Sequence, residues 1–138
     1  MKKLSSIALF TLLAFFSLKG NSHTGNYDPV SYFQISSSQN PKKGLKKYSY
    51  HWQNHNWYFS SAKNLALFKK NPGKYAPAYQ GNCAYAISNN YLYSSDPLAW
   101  SIKDGRLFLN YNKSVRSDWL SDAKNHIKKG DKNWPHLK

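Results

Sequence analysis

Cys83 is the only cysteine among the 138 residues of this chain, and this limits how the fold can be stabilised. A single cysteine cannot form an internal disulfide, so a hydrophobic core has to hold the folded chain together. Phenylalanine, tryptophan and tyrosine make up 17% of the residues, and each such side chain buries a large area. Length and composition therefore predict a single domain with an aromatic core.

The first 22 residues have the pattern of a secretory signal peptide. A lysine pair precedes an apolar run over residues 4–18, interrupted only by serine and threonine. The run is short for a membrane-spanning helix, and no second apolar segment follows it. Cleavage after Ser22 places the small residues Gly20 and Ser22 where signal peptidases prefer them. We therefore predict a signal peptide over 1–22, a domain over 23–138, and export to the periplasm or beyond the cell; an uncleaved N-terminal anchor is the alternative.

The chain is strongly basic, with a formal charge of +14, or +11 once the three lysines of the leader are subtracted. Only two of the basic residues are arginines, and the lysines are spread along the sequence. Arginine is the better fork for phosphate, so we expect no specific nucleic-acid binding. Docking on anionic surfaces through a lysine group remains an alternative function; the group is Lys42, Lys43, Lys46 and Lys47.

The first half of the domain has the pattern of a hairpin followed by a helix. Residues 34–47 are polar and predict a loop. Tyr48, Tyr50 and Trp52 then alternate with polar residues, which predicts a strand; residues 53–56 predict a turn and 57–60 the returning strand. A helix follows, capped by Ser60 or Ser61, with an inward stripe and a stop at 71–73; the stripe is Ala62, Leu65 and Phe68.

The second half has a second hairpin and a last helix. Asp104-Gly105 favours a tight turn between strands at 100–102 and 106–110, and Asp96-Pro97 resembles a helix cap with a first-turn proline. Residues 75–86 fit either a strand or a helix. Apolar residues recurring every four positions predict a final helix that ends at Gly130; they are Val115, Trp119, Ala123 and Ile127. Together these elements predict an α+β domain with a small, mostly antiparallel sheet of hairpins packed against helices.

A set of residues beginning at the returning strand follows a known family pattern: Trp57-Tyr58-Phe59, Ser61, Phe68, Pro72 and Tyr75. On these residues the chain resembles the YHS domain family. Further motifs in the same order resemble a longer, exported branch of that family; they include Tyr27-Asp28-Pro29-Val30, Gly81, Cys83-Ala84, Asp104-Gly105 and Trp134-Pro135. The resemblance covers nearly all of the domain.

The resemblance implies a binding or accessory role. Shorter YHS domains accompany metal-transporting ATPases and oxygenases and are regarded as metal-binding through two cysteines. Ser60 and Asn64 stand at those two positions in this chain. The family's thiolate site is therefore not carried over, and the resemblance implies no specific reaction.

Four residues are candidates for a ligand or metal site: Cys83, His51, His55 and His23. Cys83 is either a thiolate ligand or redox group, or a small buried residue. His51 and His55 lie near one turn, and with Cys83 they would suit copper(I) or zinc; two solvated histidines are the alternative. If His23 begins the mature chain, its α-amine and ring nitrogen could chelate copper(II) together with another imidazole; a disordered terminus is the alternative.

The acidic residues favour structural roles over catalysis. Asp28 and Asp96 precede prolines in cap-like settings, and Asp104 is part of turn chemistry. The sequence has no catalytic triad pattern and no glycine-rich phosphate loop. We therefore expect a binding module for a metal ion or small ligand rather than an enzyme.

The leader yields the first testable prediction. Intact-mass measurement or N-terminal sequencing of the exported protein should give His23 as the first residue. Recovery from the cell envelope of a chain that still begins at Met1 would contradict it.

Overall fold

The first hairpin forms where the aromatic alternation predicts it. The structure is a computed structural model, and it describes residues 23–138; the predicted leader lies outside them. Strand β1 (Leu45–Trp52) pairs antiparallel with β2 (His55–Phe59). The turn contains only Gln53 and Asn54, both left-handed with φ of 50° and 58°, as a two-residue hairpin turn requires. The predicted turn was therefore two residues too long, and β1 begins three residues earlier than expected.

The predicted helix follows as α1 (Ala62–Lys70), and the Ser61 hydroxyl caps it by accepting from the Asn64 amide at 3.1 Å. The expected inward stripe is wrong at Ala62, which is exposed; the buried positions are Asn64 and Phe68. The helix ends at the predicted stop, and proline begins a short second helix, α2 (Pro72–Tyr75).

The segment that fitted both a strand and a helix contains a turn and a helix. A 3₁₀ turn covers Ala78–Gly81, and helix α3 spans Ala84–Ser88. Three consecutive residues of the turn are left-handed: Tyr79, Gln80 and Gly81, with φ of 58°, 53° and 76°. Such conformations are unfavourable for residues with a Cβ atom, which is why propensity did not predict this geometry.

The second hairpin is confirmed, with β3 (Asp96–Lys103) paired antiparallel to β4 (Arg106–Asn110). Its turn uses left-handed Asp104 and Gly105, with φ of 51° and 75°. The helix cap predicted at Asp96-Pro97 is wrong, because both residues open β3; the Asp96 carboxylate accepts from the Leu98 amide at 2.9 Å beside a register shift. Each hairpin is a separate two-stranded sheet, and with the helices they form the predicted α+β domain.

The C-terminal region contains two helices where the sequence predicts one. Helix α4 (Lys113–Leu120) is capped by Asn112, and α5 (Ala123–Leu137) continues past the predicted end at Gly130. Gly130 is instead a point of close approach, since a Cβ atom there would lie 2.5 Å from the Tyr79 hydroxyl oxygen. The glycine thus allows α5 to pack on the 3₁₀ turn, and it does not end the helix. Among residues 23–138, no helix is both long and apolar enough to cross a membrane.

The core is aromatic, as the composition predicts, and it consists of three clusters. One packs Phe108 of β4 against Trp119 of α4, with ring centroids 4.9 Å apart. The second packs Phe59 and Phe68 between the first hairpin and α1, at 5.0 Å. The third surrounds Tyr32 and the inner face of the second hairpin.

A buried carboxylate joins the N-terminal segment to the first hairpin and α1. Asp28 is fully buried. Its Oδ1 accepts from the amides of Val30 and Ser31 at 2.8 and 3.3 Å, forming the expected cap-like turn. Its Oδ2 accepts from the Ser60 amide at 2.8 Å, the Ser60 hydroxyl at 2.7 Å and the Asn64 side-chain amide at 2.7 Å. Ser60 and Asn64 are therefore both donors to this carboxylate.

Substitution of Asp28 tests the importance of this junction. In D28N, the amide NH₂ would face either the two donors at the Oδ1 position or the three at the Oδ2 position. We therefore expect a loss of at least about 3 kcal/mol in the free energy of unfolding, since hydrogen bonds to charged groups contribute roughly 1.5–3 kcal/mol each. Urea denaturation measures the loss. The exposed substitution D118N is the matched control and should change stability by less than about 0.5 kcal/mol. Equal stability of D28N and D118N would show that the junction contributes little.

Candidate functional site

Cys83 lies in the protein core. Its side chain is 2% exposed, and the thiol is 3.6 Å from the Asn110 Oδ1 atom, to which it can donate. Burial raises the pKa of the Cys83 thiol, although backbone hydrogen bonds from Ala86, Tyr111 and Tyr85 oppose this. A buried thiol with a raised pKa is a poor nucleophile and a poor metal ligand. The structure therefore matches the structural alternative for Cys83.

The predicted combination of His51, His55 and Cys83 does not form. Among residues 23–138, no three histidine, cysteine, aspartate or glutamate side chains are grouped to hold a metal ion. Cys83 pairs with Leu109 of the second hairpin, whereas both histidines lie on the first. His51 is exposed, and its Nδ1 lies 2.7 Å from the Asn56 Oδ1 atom across the strand pair.

His23 is buried, and its backbone and ring both contact other parts of the domain. It is 9% exposed, and its backbone nitrogen donates to the Gln80 carbonyl at 2.9 Å. Its ring stacks on that of His55, with centroids 3.8 Å apart and planes 7° from parallel. The Trp57 ring meets both imidazoles edge-on, at 5.2 and 4.8 Å. The His23 Nδ1 atom is buried and has no hydrogen-bond partner among residues 23–138.

The stacked imidazoles are neutral at pH 7. The pKa of His23 is lowered to about 4, mainly by burial and to a smaller extent by repulsion from His55. Burial also lowers the pKa of His55, as does repulsion by His51. Two protonated rings in parallel contact would repel each other strongly, so this packing disfavours protonation of both rings at once.

His23 forms part of the wall of a cleft of about 430 Å³. The turns of both hairpins, α2, the 3₁₀ turn and the end of α5 supply the remaining walls. The lining contains three tryptophans and three cationic side chains: Trp52, Trp57 and Trp134, with Lys74, Arg106 and Lys138. None of the described residues that line the cleft is acidic. The surface is therefore both aromatic and positively charged.

Arg106 is held in place by Asp131 of α5. The guanidinium donates twice to this carboxylate, at 2.9 and 3.0 Å, and Tyr79 donates to the same carboxylate at 2.9 Å. This is the only ion pair among residues 23–138. Lys74 and Lys138 thus have no carboxylate partner in the described part of the chain, and their charge is available to a ligand.

Unfavourable backbone conformations are concentrated at the cleft. Seven residues other than glycine have positive φ in the described part of the chain, and four of them line the cleft: His23, Gln53, Tyr79 and Gln80. Each such conformation costs about 1–3 kcal/mol, and proteins retain such strain most often at functional sites. This concentration is a second reason, besides its volume, to treat the cleft as the candidate functional site.

The sequence did not identify most of the cleft. Of the four predicted site residues, only His23 lines it, while His55 contacts His23 from behind. Trp52 and Trp57 were recognisable as hairpin aromatics, but nothing in the local sequence brings Trp134 from α5 beside them. The cleft depends on long-range packing of both hairpins and α5.

Comparison of the chain with known family models, with curated proteins and with solved structures found no match in any of the three. The resemblance to YHS domains accordingly rests on the motifs described above.

The stacked histidine pair predicts a pH-dependent stability. Because the pKa of His23 is about 4 in the folded state against 6.5 ordinarily, the unfolded chain binds a proton first as pH falls. Folding stability should therefore fall by about 3 kcal/mol between pH 6.5 and 4 from this group. Urea denaturation of H23F should show a shallower loss over this interval, whereas the exposed control H136F should follow the wild type. Parallel curves for all three proteins would contradict a neutral, buried His23.

Proposed function

We propose that this chain is an exported, YHS-type binding module whose cleft holds a small molecule with a flat apolar body and an anionic group. The observation that carries the proposal is the composition of the cleft wall, which combines tryptophan rings with lysine and arginine and contains no described acid. Because aromatic and cationic side chains line the same cleft, the preferred ligand has both an apolar ring and a negative charge.

The apolar part of the ligand matches the tryptophan surface. Trp52 and Trp57 have ring centroids 6.2 Å apart with planes at 53°, and Trp134 lies on α5. Aromatic pairs favour offset or edge-to-face contact, which adds about 0.5–1.5 kcal/mol to the burial of area. The volume of about 430 Å³ is within the usual range for small-molecule sites, roughly 300–1,000 Å³.

The anionic part matches the unpaired lysines. Asp131 already neutralises Arg106, so Lys74 on α2 supplies unpaired positive charge, and the Lys138 ammonium lies at the same cleft. The α2 helix is short, and Lys74 is exposed. A carboxylate, sulfonate or phosphate group near these side chains would gain attraction without displacing an existing ion pair.

The positions of the family's cysteines support a ligand other than a thiolate-bound metal. Ser60 and Asn64 donate to the buried Asp28 carboxylate, and this use of both side chains stabilises the fold. The side chains of Ser60 and Asn64 therefore do not support binding of zinc or copper(I) at these two positions. The buried Cys83 does not support a metal site either.

Docking on anionic polymers through Lys42, Lys43, Lys46 and Lys47 is the second candidate function. All four lysines are exposed around the start of β1. Binding by this group would require charge alone and no aromatic body, and it would weaken steeply with salt. Dextran sulfate, an anionic polymer without aromatic groups, therefore distinguishes the two functions.

Matched ligands test the proposed function. Calorimetric titration should detect 1-naphthaleneacetate, whereas 1-naphthaleneacetamide, which lacks the charge, and acetate, which lacks the ring, should bind more weakly. K74Q should weaken naphthaleneacetate binding about fivefold, corresponding to roughly 1 kcal/mol for one exposed charge. K63Q, on the exposed face of α1, is the matched control and should bind as the wild type does.

Two outcomes would contradict the proposal. Equal affinity for the acid and its amide would remove the anionic requirement. Binding of dextran sulfate with no binding of naphthaleneacetate would favour the lysine group around β1 instead.

A further inference from the structure

Removal of the predicted leader would change the chemistry of His23. Its backbone nitrogen is an amide in the full chain and would become a primary amine after cleavage behind Ser22. This nitrogen is held in the cleft wall by its hydrogen bond to the Gln80 carbonyl at 2.9 Å. An amine carries enough hydrogens to keep that bond and still offer its lone pair to a metal ion.

The His23 side chain offers a second nitrogen on the same residue. Its Nδ1 atom is buried and lacks a hydrogen-bond partner among residues 23–138, and the residue is only 9% exposed. Buried polar atoms are rarely left unpaired, and an unpaired one in a folded protein often marks a site for an absent water or ion. An electron-pair acceptor would satisfy this nitrogen.

The His55 imidazole is in direct contact with the His23 ring, at 3.8 Å between centroids. His55 is half-buried at the first position of β2, with an edge contact to Trp57. Parallel stacking directs the in-plane lone pairs of the two rings side by side and not toward one point. Shared coordination therefore requires the His55 ring to turn out of the stack, exchanging a ring contact for a metal bond.

We propose that the amino terminus created at His23 is a copper(II) site, chelated by the α-amine and Nδ1 of His23, with the His55 imidazole as the third nitrogen ligand. The chelate closes a six-membered ring through Cα, Cβ and Cγ of one residue. Nitrogen donors in a planar arrangement suit copper(II), which also binds more tightly than zinc to a given set of such ligands. This site is separate from the proposed binding of an aromatic anion, although His23 borders the same cleft.

Copper titration of the processed protein, beginning at His23, tests the site. We expect one equivalent of copper(II) and an electron paramagnetic resonance spectrum with hyperfine structure from three nitrogens. Selective acetylation of the α-amine, or the substitution H23F, should weaken copper binding by more than about 100-fold. Loss of a residue that only supports a metal ligand costs roughly 10–100-fold in affinity, and loss of a direct ligand should cost more. Acetylation leaves every side chain of the site in place, so it separates loss of a ligand from loss of folding.

The substitution H55F keeps an aromatic ring against His23 while removing its nitrogen ligand. The spectrum should then show two nitrogens, and affinity should fall. The exposed control H136F should retain the wild-type spectrum and affinity. An acetylated protein that binds copper as tightly as the free amine would overturn the proposal, as would an unchanged spectrum in H55F.

Discussion

The buried Asp28 carboxylate is the interaction on which the arrangement of this domain depends. It accepts five hydrogen bonds from three separate parts of the chain, which are the N-terminal segment, the end of the first hairpin and α1. Two backbone hydrogen bonds also hold the N-terminal segment against the start of the first hairpin. The Asp28 amide donates to the Lys42 carbonyl and the Gly44 amide to the Asn26 carbonyl, both at 2.8 Å. The segment so fixed leads back to His23, which stands in the cleft wall. A structural carboxylate thus positions one wall of the candidate site.

Local elements of this fold were predictable, whereas contacts between distant segments were not. The Asp104-Gly105 turn and the cap at Ser61 depend on residues next to each other, and both occur as expected. The burial of Asn64 depends on Asp28, which is 36 residues away, so helical periodicity could not reveal it. Gly130 illustrates the same limit, because a glycine that permits close packing against Tyr79 has the same local pattern as one that ends a helix.

The candidate site likewise depends on contacts between distant segments, which the sequence did not reveal. Three of the four residues chosen for their chemistry lie outside the cleft lining, because thiol and imidazole groups were weighed without knowing which would be buried together. Cys83 is a buried core residue. His23, expected at a free terminus, instead packs against both His55 and Trp57. The residues that line the cleft range from position 23 to position 138. They include Tyr79 and Gln80, whose left-handed conformations the sequence did not indicate. Its aromatic and cationic character follows from this packing.

The five tryptophans offer the most direct test of the claim that the cleft is the ligand site. Trp52, Trp57 and Trp134 line it, Trp57 with only 3% of its surface exposed, whereas Trp100 and Trp119 lie in other parts of the core. Nuclear magnetic resonance of the indole N–H groups during addition of 1-naphthaleneacetate reports on all five at once. Our account predicts saturable shifts for the three cleft tryptophans and nearly constant positions for the other two. Shifts confined to Trp100 and Trp119, or no saturable shift at any tryptophan, would contradict it.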